Sequence, residues 1–236
     1  MGESKEIVRK EMLKCLDGEF RAVLLVPEAG TVEPEMAVRA LRNRAVVPCQ
    51  THSLDVVVVD DSVAPVPQAD AVVTFRSGMP VGVLTADCVP ILLYAPDIRA
   101  VAAVHAGWRG TLGGIIDSTL DLLEEHGASP EKIQVVFGPS ISEDDYEVSH
   151  ELADTFKQAG FGDCVSWPVG EEGRPYIDLQ GVNLQRLLRR GIQEVNITPS
   201  TASTFSSTDD TGQPLYPSHR RSGGSPLRLL TVIELI

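Results

Sequence analysis

Apolar residues gather in short, near-continuous runs along the middle of this chain. AVVTF (71–75), VGVLTA (81–86), VPILLY (89–94) and AVAAVH (100–105) are dense in β-branched and small apolar residues. Runs of this kind predict strands covered on both faces. RAVLLVP (21–27), AVVPCQ (45–50), LDVVVVD (54–60), IQVVFGP (133–139), EVNI (194–197) and LRLLTVIEL (227–235) add further strands. Helical spacing appears elsewhere. Residues 4–16 place Ile7, Met12, Leu13 and Leu16 among charges, with Gly18 as a stop, and predict a helix. Residues 34–44 predict a helix opening on a proline. Residues 110–127, 147–160 and 178–191 predict three more, the last with Asp178 as its N-cap and Gly191 as its stop. Residues 61–70 read as a Pro/Asp loop. Strands and helices alternate, so the expected fold is one layered α/β or α+β domain over residues 1–236. Its buried mixed β-sheet is flanked by helices.

Composition narrows the partners. The formal net charge is −13 over 236 residues, which disfavours a nucleic-acid backbone as ligand. A small anion remains compatible, because a few local arginines override the global sign. The four cysteines (Cys15, Cys49, Cys88 and Cys164) form neither a CxxC pair nor a small disulfide framework. The charged N-terminus lacks the apolar region of a signal peptide, and no apolar run approaches a membrane span. The expectation is a reduced, soluble, cytoplasmic protein with no membrane partner.

Candidate chemistry lies in LTADCVPILLYAPDIRAVAAVHAGWRG (84–110) and in the polar break Thr51-His52-Ser53 between two apolar runs. Cys88 and His105 each stand at the end of a strand-like run, and His52 interrupts two more. Two imidazoles and a thiolate suit a zinc ion, and three protein ligands leave a fourth position for water or substrate. The same residues allow Cys88 as a thiolate nucleophile with His105 or His52 as its base. The residues alone do not separate the two. His126 reads as a complement to a helix end, before Gly127, and His150 as a surface residue.

TADCVPILLY, AVHAGWRG and FGPSISEDDYEVSHEL resemble the YfiH-like family, also called the multi-copper polyphenol oxidase laccase family. The resemblance runs from about Arg42 to the C-terminus. It implies a layered α/β fold and a zinc ion held by His52, Cys88 and His105, with copper less favoured. It also implies a purine nucleoside enzyme: phosphorolysis of adenosine, inosine, guanosine or methylthioadenosine, and deamination of adenosine. The expected partners are thus a nucleoside and phosphate. Two departures stand out. The glycine-rich segment usual before the first ligand is replaced by LLVPEAGTVEPEM. The C-terminal motif lacks its cysteine and carries His219 where an aromatic is usual, while Arg220 and Arg221 survive.

On this reading Cys88, His105 and Asp87 carry the chemistry, with Asp87 handling protons. Arg44, Arg109, Arg220 and Arg221 are the available anion clamps, and Trp108 or Tyr146 offers a stacking face. The runner-up is a cysteine- or zinc-dependent amide hydrolase that edits peptidoglycan precursors; a third reading is a zinc-binding protein without activity. Laccase chemistry fits least, because one His₂Cys set does not supply the several copper centres of a four-electron oxygen reduction.

Overall fold

Strand β6 (Val89–Ala95) explains the architecture, because all seven of its residues are buried. A strand can hide both rows of side chains only when something covers each face of its sheet. In the computed structural model, which describes residues 8–16, 18–27, 33–60, 67–168 and 173–236, a second sheet covers one face and helices cover the other. The elements in chain order are β1 (Val8–Leu16), β2 (Phe20–Pro27), α1 (Pro34–Arg42), β3 (Val56–Val58), β4 (Ala71–Thr74), β5 (Val81–Thr85) and β6. There follow β7 (Ala100–Ala106), α2 (Trp108–Gly113), α3 (Ile115–Glu125), β8 (Gln134–Phe137), α4 (His150–Gln158) and β9 (Val165–Ser166). The last are β10 (Tyr176–Ile177), α5 (Leu179–Arg189), β11 (Ile197–Thr198), α6 (His219–Ser222) and β12 (Leu229–Leu235).

A six-stranded mixed sheet runs β11-β8-β6-β7-β4-β3, and a four-stranded antiparallel sheet runs β1-β2-β12-β5. Period-two alternation divides β6 between two cores. Leu92 and Tyr94 face the second sheet, meeting Phe20, Val83 and Ile233. Ile91 and Leu93 face the helices, meeting Ile116, Leu120 and Val182. Each buried aliphatic side chain of this kind contributes about 1.5–3 kcal/mol through its removal from water. The outer face of the four-stranded sheet is closed by α1, through Leu41 against Val23, Leu84 and Val232. The layered mixed α/β class expected from the sequence is the one found.

Individual elements differ from expectation. Residues 8–16 form a strand, not a helix. β1 pairs antiparallel with β2 from Val8↔Pro27 to Leu16↔Phe20, across a turn in which Gly18 has φ +75°. Cross-strand pairing overrides a helical spacing that the charged residues made ambiguous; residues 4–7 lie outside the described residues. β1 is an edge strand whose ladder is interrupted between Met12 and Lys14. Arg9 pairs with Glu11 at 2.7 Å, and Lys14 Nζ donates across to Gln134 Oε1 at 3.0 Å.

The helix expected over 110–127 is two helices, because Gly114 adopts φ +90° and ends α2. Residues 45–50 pair only through isolated bridges, Val46 to Val81 and Cys49 to Gln68. The strand at 54–60 shortens to β3, and 194–197 is mostly a 3₁₀ turn leading into β11. Most of the 61–70 loop, residues 61–66, lies outside the described residues. Asp178 caps α5 as expected, accepting from Gly181 N at 2.8 Å, and Ser149 caps α4.

Candidate metal centre

Three segments of the chain converge at one end of the six-stranded sheet. His105 sits near the end of β7, opposite Pro90 of β6. Cys88 immediately precedes β6, after a turn in which Asp87 has φ +85°. His52 lies before β3 with φ +60°. Positive φ at a non-glycine residue is strained and persists only where the surroundings over-determine it. Here the over-determination is visible. The Asp70 carboxylate accepts from Thr51 N at 3.1 Å, His52 N at 3.0 Å, Ser53 N at 2.6 Å and Ser53 Oγ at 2.9 Å.

Asp70 also grips the other histidine. It is fully buried, and its Oδ1 lies 2.7 Å from His105 Nδ1. Its carbonyl accepts from His105 N at 2.7 Å. β4 begins at the next residue and pairs with both β3 and β7, so one carboxylate reaches both imidazole-bearing segments. Gln50 ties the same loop to β5, accepting from Leu84 N at 2.9 Å and donating to Leu84 O at 2.7 Å.

The result is a three-donor set. One nitrogen each from His52 and His105 and the sulfur of Cys88 lie within 4.8 Å of one another. The imidazoles meet edge to face, with centroids 4.8 Å apart. Because Asp70 holds His105 through Nδ1, Nε2 is the nitrogen left for a ligand, a carboxylate–histidine arrangement typical of metal sites. Gly107 backs the set. A Cβ there would stand 2.9 Å from His52 Cδ2 and 3.1 Å from Cys88 Sγ, so only glycine leaves these donors room to converge. A soft sulfur, two nitrogens and an open side fit a zinc ion.

Electrostatics prepare the sulfur. Burial raises the Cys88 thiol pKa, but hydrogen bonds from His105 and His52 and their charges outweigh it, lowering the pKa to about 6. Burial lowers that of His105, and Asp70 and Cys88 override it, raising the value to about 9. Asp70 is pushed up by burial but held well below the carboxylate range by His105, Ser53 and Thr51. In metal-free protein Cys88 is therefore a thiolate beside an imidazolium at neutral pH. Iodoacetamide labelling of Cys88 in chelated protein, followed by peptide mass spectrometry, should accelerate as pH rises through about 6 and level off above. A rise centred near about 8.5, the ordinary thiol value, would refute this.

A cavity of about 430 Å³ opens beside the donors, lined also by Arg42, Gln50, Thr85, His219 and Arg228. The other candidates are placed as follows. Asp87 accepts from Thr204 Oγ1 at 2.7 Å through Oδ1 and from Arg220 N at 2.8 Å through Oδ2. The Arg220 guanidinium lies 4.9 Å over the Tyr146 ring and donates to Glu147 O at 2.7 Å. Burial raises the Tyr146 pKa to about 12, with the charges of Cys88, Arg220, Asp87 and Arg109 acting on the same hydroxyl. Tyr146, Arg220 and Asp87 thus gather on the Cys88 flank of the centre. Trp108 packs partly on the main core, and exposed Arg109 stacks 4.2 Å over its indole.

None of the four arginines expected as anion clamps lines this cavity: Arg109 lies on Trp108 and Arg220 on Tyr146. Arg221 donates to Thr204 O at 2.7 Å, Phe205 O at 2.6 Å and Tyr216 O, and it lines a separate depression. Arg44 lines another, with Arg76. Sequence reading missed Asp70, Gln50, Arg42 and Arg228. The one available signal for Asp70 was its place directly before the apolar-rich run AVVTF, where an acid drawn in with the strand needs partners. His126 accepts its expected place, its Nδ1 2.8 Å from Leu122 O at the end of α3, and exposed His150 faces Trp167. Among the described residues no helix is long and apolar enough to cross a membrane.

Comparison with known proteins places the chain in a family. A family model described as multi-copper polyphenol oxidoreductase laccase matches residues 33–236. A purine nucleoside phosphorylase from Deinococcus radiodurans is 36% identical over 168 residues, covering 71% of this chain and 62% of that protein. Adenosine deaminase RL5, from an unknown prokaryotic organism, is 38% identical over 165 residues, covering 66% and 63%. The chain thus spans less than two thirds of the length of these two relatives. The crystal structure of the Bacillus licheniformis hypothetical protein YfiH superposes with a TM-score of 0.81 at 24% identity, over 92% of this chain and 93% of that one.

Proposed function

Because the chain belongs to the multi-copper polyphenol oxidoreductase laccase family, we propose that it is a zinc-dependent purine nucleoside enzyme. It cleaves purine nucleosides such as adenosine, inosine, guanosine or methylthioadenosine with phosphate, and deaminates adenosine. The observation that carries this reading is the set His52, Cys88 and His105, converging beside an arginine-lined cavity. These three residues would hold the ion, which when bound supplies Lewis acidity toward an oxygen at the open side of the site.

The chain's own residues do the rest. Arg42 and Arg228 face the cavity and present planar donor forks to a phosphate, which lysine would match poorly. Phosphorolysis forms a bond from a phosphate oxygen to the sugar's anomeric carbon as the bond to the base nitrogen breaks. The base leaves with the electron pair and takes up a proton. Tyr146, kept protonated by its burial, offers a hydrogen-bond donor or a ring edge on the Cys88 flank rather than the proton itself, which comes from solvent; Arg220 covers one face of its ring. Both Asp87 oxygens already accept hydrogen bonds, so Asp87 acts here mainly by setting Arg220 and the Thr204 loop against Tyr146.

A second reading has its own support. Cys88, His105 and Asp70 also form a nucleophile, base and orienting acid in line, the layout of a thiol amide hydrolase. The second imidazole favours the metal, because a thiol hydrolase has no use for His52 on the same sulfur. Zinc-loaded protein given inosine and phosphate should release hypoxanthine and ribose 1-phosphate, and adenosine should give inosine. Zinc-loaded protein that forms none of these products would refute the nucleoside reading. Release of an amino acid from a muramic acid-linked precursor would replace it with the second. For laccase chemistry, the described residues gather one such donor set, where several copper centres are required.

A further inference from the structure

A second depression, of about 510 Å³, lies against the first and shares Arg42 with it. It is bordered by two stretches: Arg42 to Val46, following α1, and Arg76 to Pro80, the turn between β4 and β5. Three arginines line it (Arg42, Arg44 and Arg76) and no acidic residue among the described ones does. The chain carries 33 acidic residues against 20 lysines and arginines, so this concentration of one sign runs against its overall charge. Basic side chains at a helix C-terminus have an ordinary explanation in the helix dipole. That explanation covers Arg42, in the last turn of α1, but not Arg44 beyond it or Arg76 from a separate turn.

The guanidiniums are poised rather than spent. Arg76 is steadied by one bond, from Nη1 to Asp60 O, and its remaining donors are not used among the described residues. Arg42 and Arg44 are exposed and make no ion pair among the described residues. Backbone donors nearby are already engaged: Val46 N with Pro80 O at 2.8 Å, and Gly78 N with Leu235 O at 2.8 Å. Recognition here therefore rests on side chains, chiefly the three guanidiniums, with Asn43 and Ser77 beside them. Such a cluster suits a compact, multiply charged oxyanion, and guanidinium forks match phosphoryl oxygens bidentately.

We propose that Arg42, Arg44 and Arg76 form a phosphoryl-anion subsite that continues the metal-centre cavity. It takes either inorganic phosphate bound next to the centre or the phosphate group of a nucleotide whose nucleoside part enters the cavity. The choice of phosphate over other oxyanions rests on the nucleoside reading; the anion site itself does not.

The test is equilibrium binding of inorganic phosphate, AMP and adenosine at low ionic strength. It uses zinc-loaded wild type, Arg44→Gln, Arg76→Gln and, as a control on the same helix, Arg39→Gln. Zinc content and melting temperature verify that each variant is folded. Losing one charge-assisted contact should weaken phosphate or AMP binding by roughly tenfold or more in Arg44→Gln and Arg76→Gln. Arg39→Gln and adenosine binding should be unaffected, and added salt should shrink the difference. Weakening of AMP alone identifies a ligand-borne phosphate; weakening of both identifies a site for the free anion as well. Wild-type affinities for phosphate and AMP in both variants, or AMP binding no tighter than adenosine together with no phosphate binding, would overturn the proposal. Arginine-dependent anion binding without nucleoside turnover would sink the nucleoside reading and leave the subsite standing. Turnover with arginine-independent binding would do the reverse.

Discussion

Replacing Cys88 with serine is expected to empty the metal centre while leaving the fold intact. Cys88 supplies the one sulfur of the donor set and the one group whose negative charge can be delivered at neutral pH. A serine hydroxyl in the same place stays protonated and binds zinc poorly. Metal content should fall from about one ion per chain to background, with affinity lower by at least about a hundredfold. That exceeds the range of changes made behind the ligands. Phosphorolysis and deamination should vanish with the metal. The melting temperature of metal-free protein should move little, because Cys88 is only half-buried and the change is nearly isosteric. Elemental analysis finding full zinc occupancy in folded Cys88→Ser protein would refute the ligand assignment. Loss of activity with zinc retained would point instead to the thiol as nucleophile.

A change at Asp70, which touches no ligand atom used by the metal, should be nearly as damaging. Asp70→Ala would leave three backbone N–H groups and the His105 imidazole without their acceptor in a buried place. Removing the anionic partner of such a network costs about 3–5 kcal/mol, read as a fall in melting temperature. Asp70→Asn keeps the volume but brings an amide nitrogen into a ring of donors, so at least one bond becomes a repulsion. Zinc affinity should drop about 10–100-fold through loss of the His52 and His105 geometry.

The two proteins should also differ in acid. A carboxylate held below its unfolded pKa stabilises the fold fully above about pH 4 and loses that contribution as pH falls toward the folded value. Wild type should therefore show a decline below pH 4 that Asp70→Asn lacks. Equal zinc affinity in Asp70→Asn and wild type would show that the carboxylate is not what places the two histidines.

Those two residues also mark where the sequence was readable. Cys88 was visible because a thiol and two imidazoles at strand ends form a chemically unusual combination, and residue type alone signals it. The four central strands were visible for a related reason: when both faces are covered, the apolar run is unbroken, and β6 and β7 match their expected limits within a residue or so. Asp70 was not singled out, because an acid after a Pro/Asp loop looks like loop surface. Only the parallel pairing of β3 with β4 brings it under His52. The arginines show the same limit. Arg42 and Arg44 are two positions apart, and which of them faces the cavity depends on how α1 ends. The Gly113-Gly114 pair is a breaker signal, but the apolar spacing running through it reads as one helix. In β1, charges alternate with apolar residues over too short a stretch for period to distinguish strand from helix.

That same ambiguous stretch has a consequence for how the molecule behaves in a crowd. Among the described strands β1 is the margin of the four-stranded sheet, and a flat apolar margin would be a template for another chain's strand. Here Arg9, Lys10, Glu11 and Lys14 stud it, and the ladder loses register between Met12 and Lys14. An incoming strand would have to desolvate those charges and follow an irregular backbone. The charges that disguise β1 as a helix therefore guard against edge-to-edge aggregation, and neutralising Lys10 and Lys14 would make the protein more prone to polymerise at high concentration.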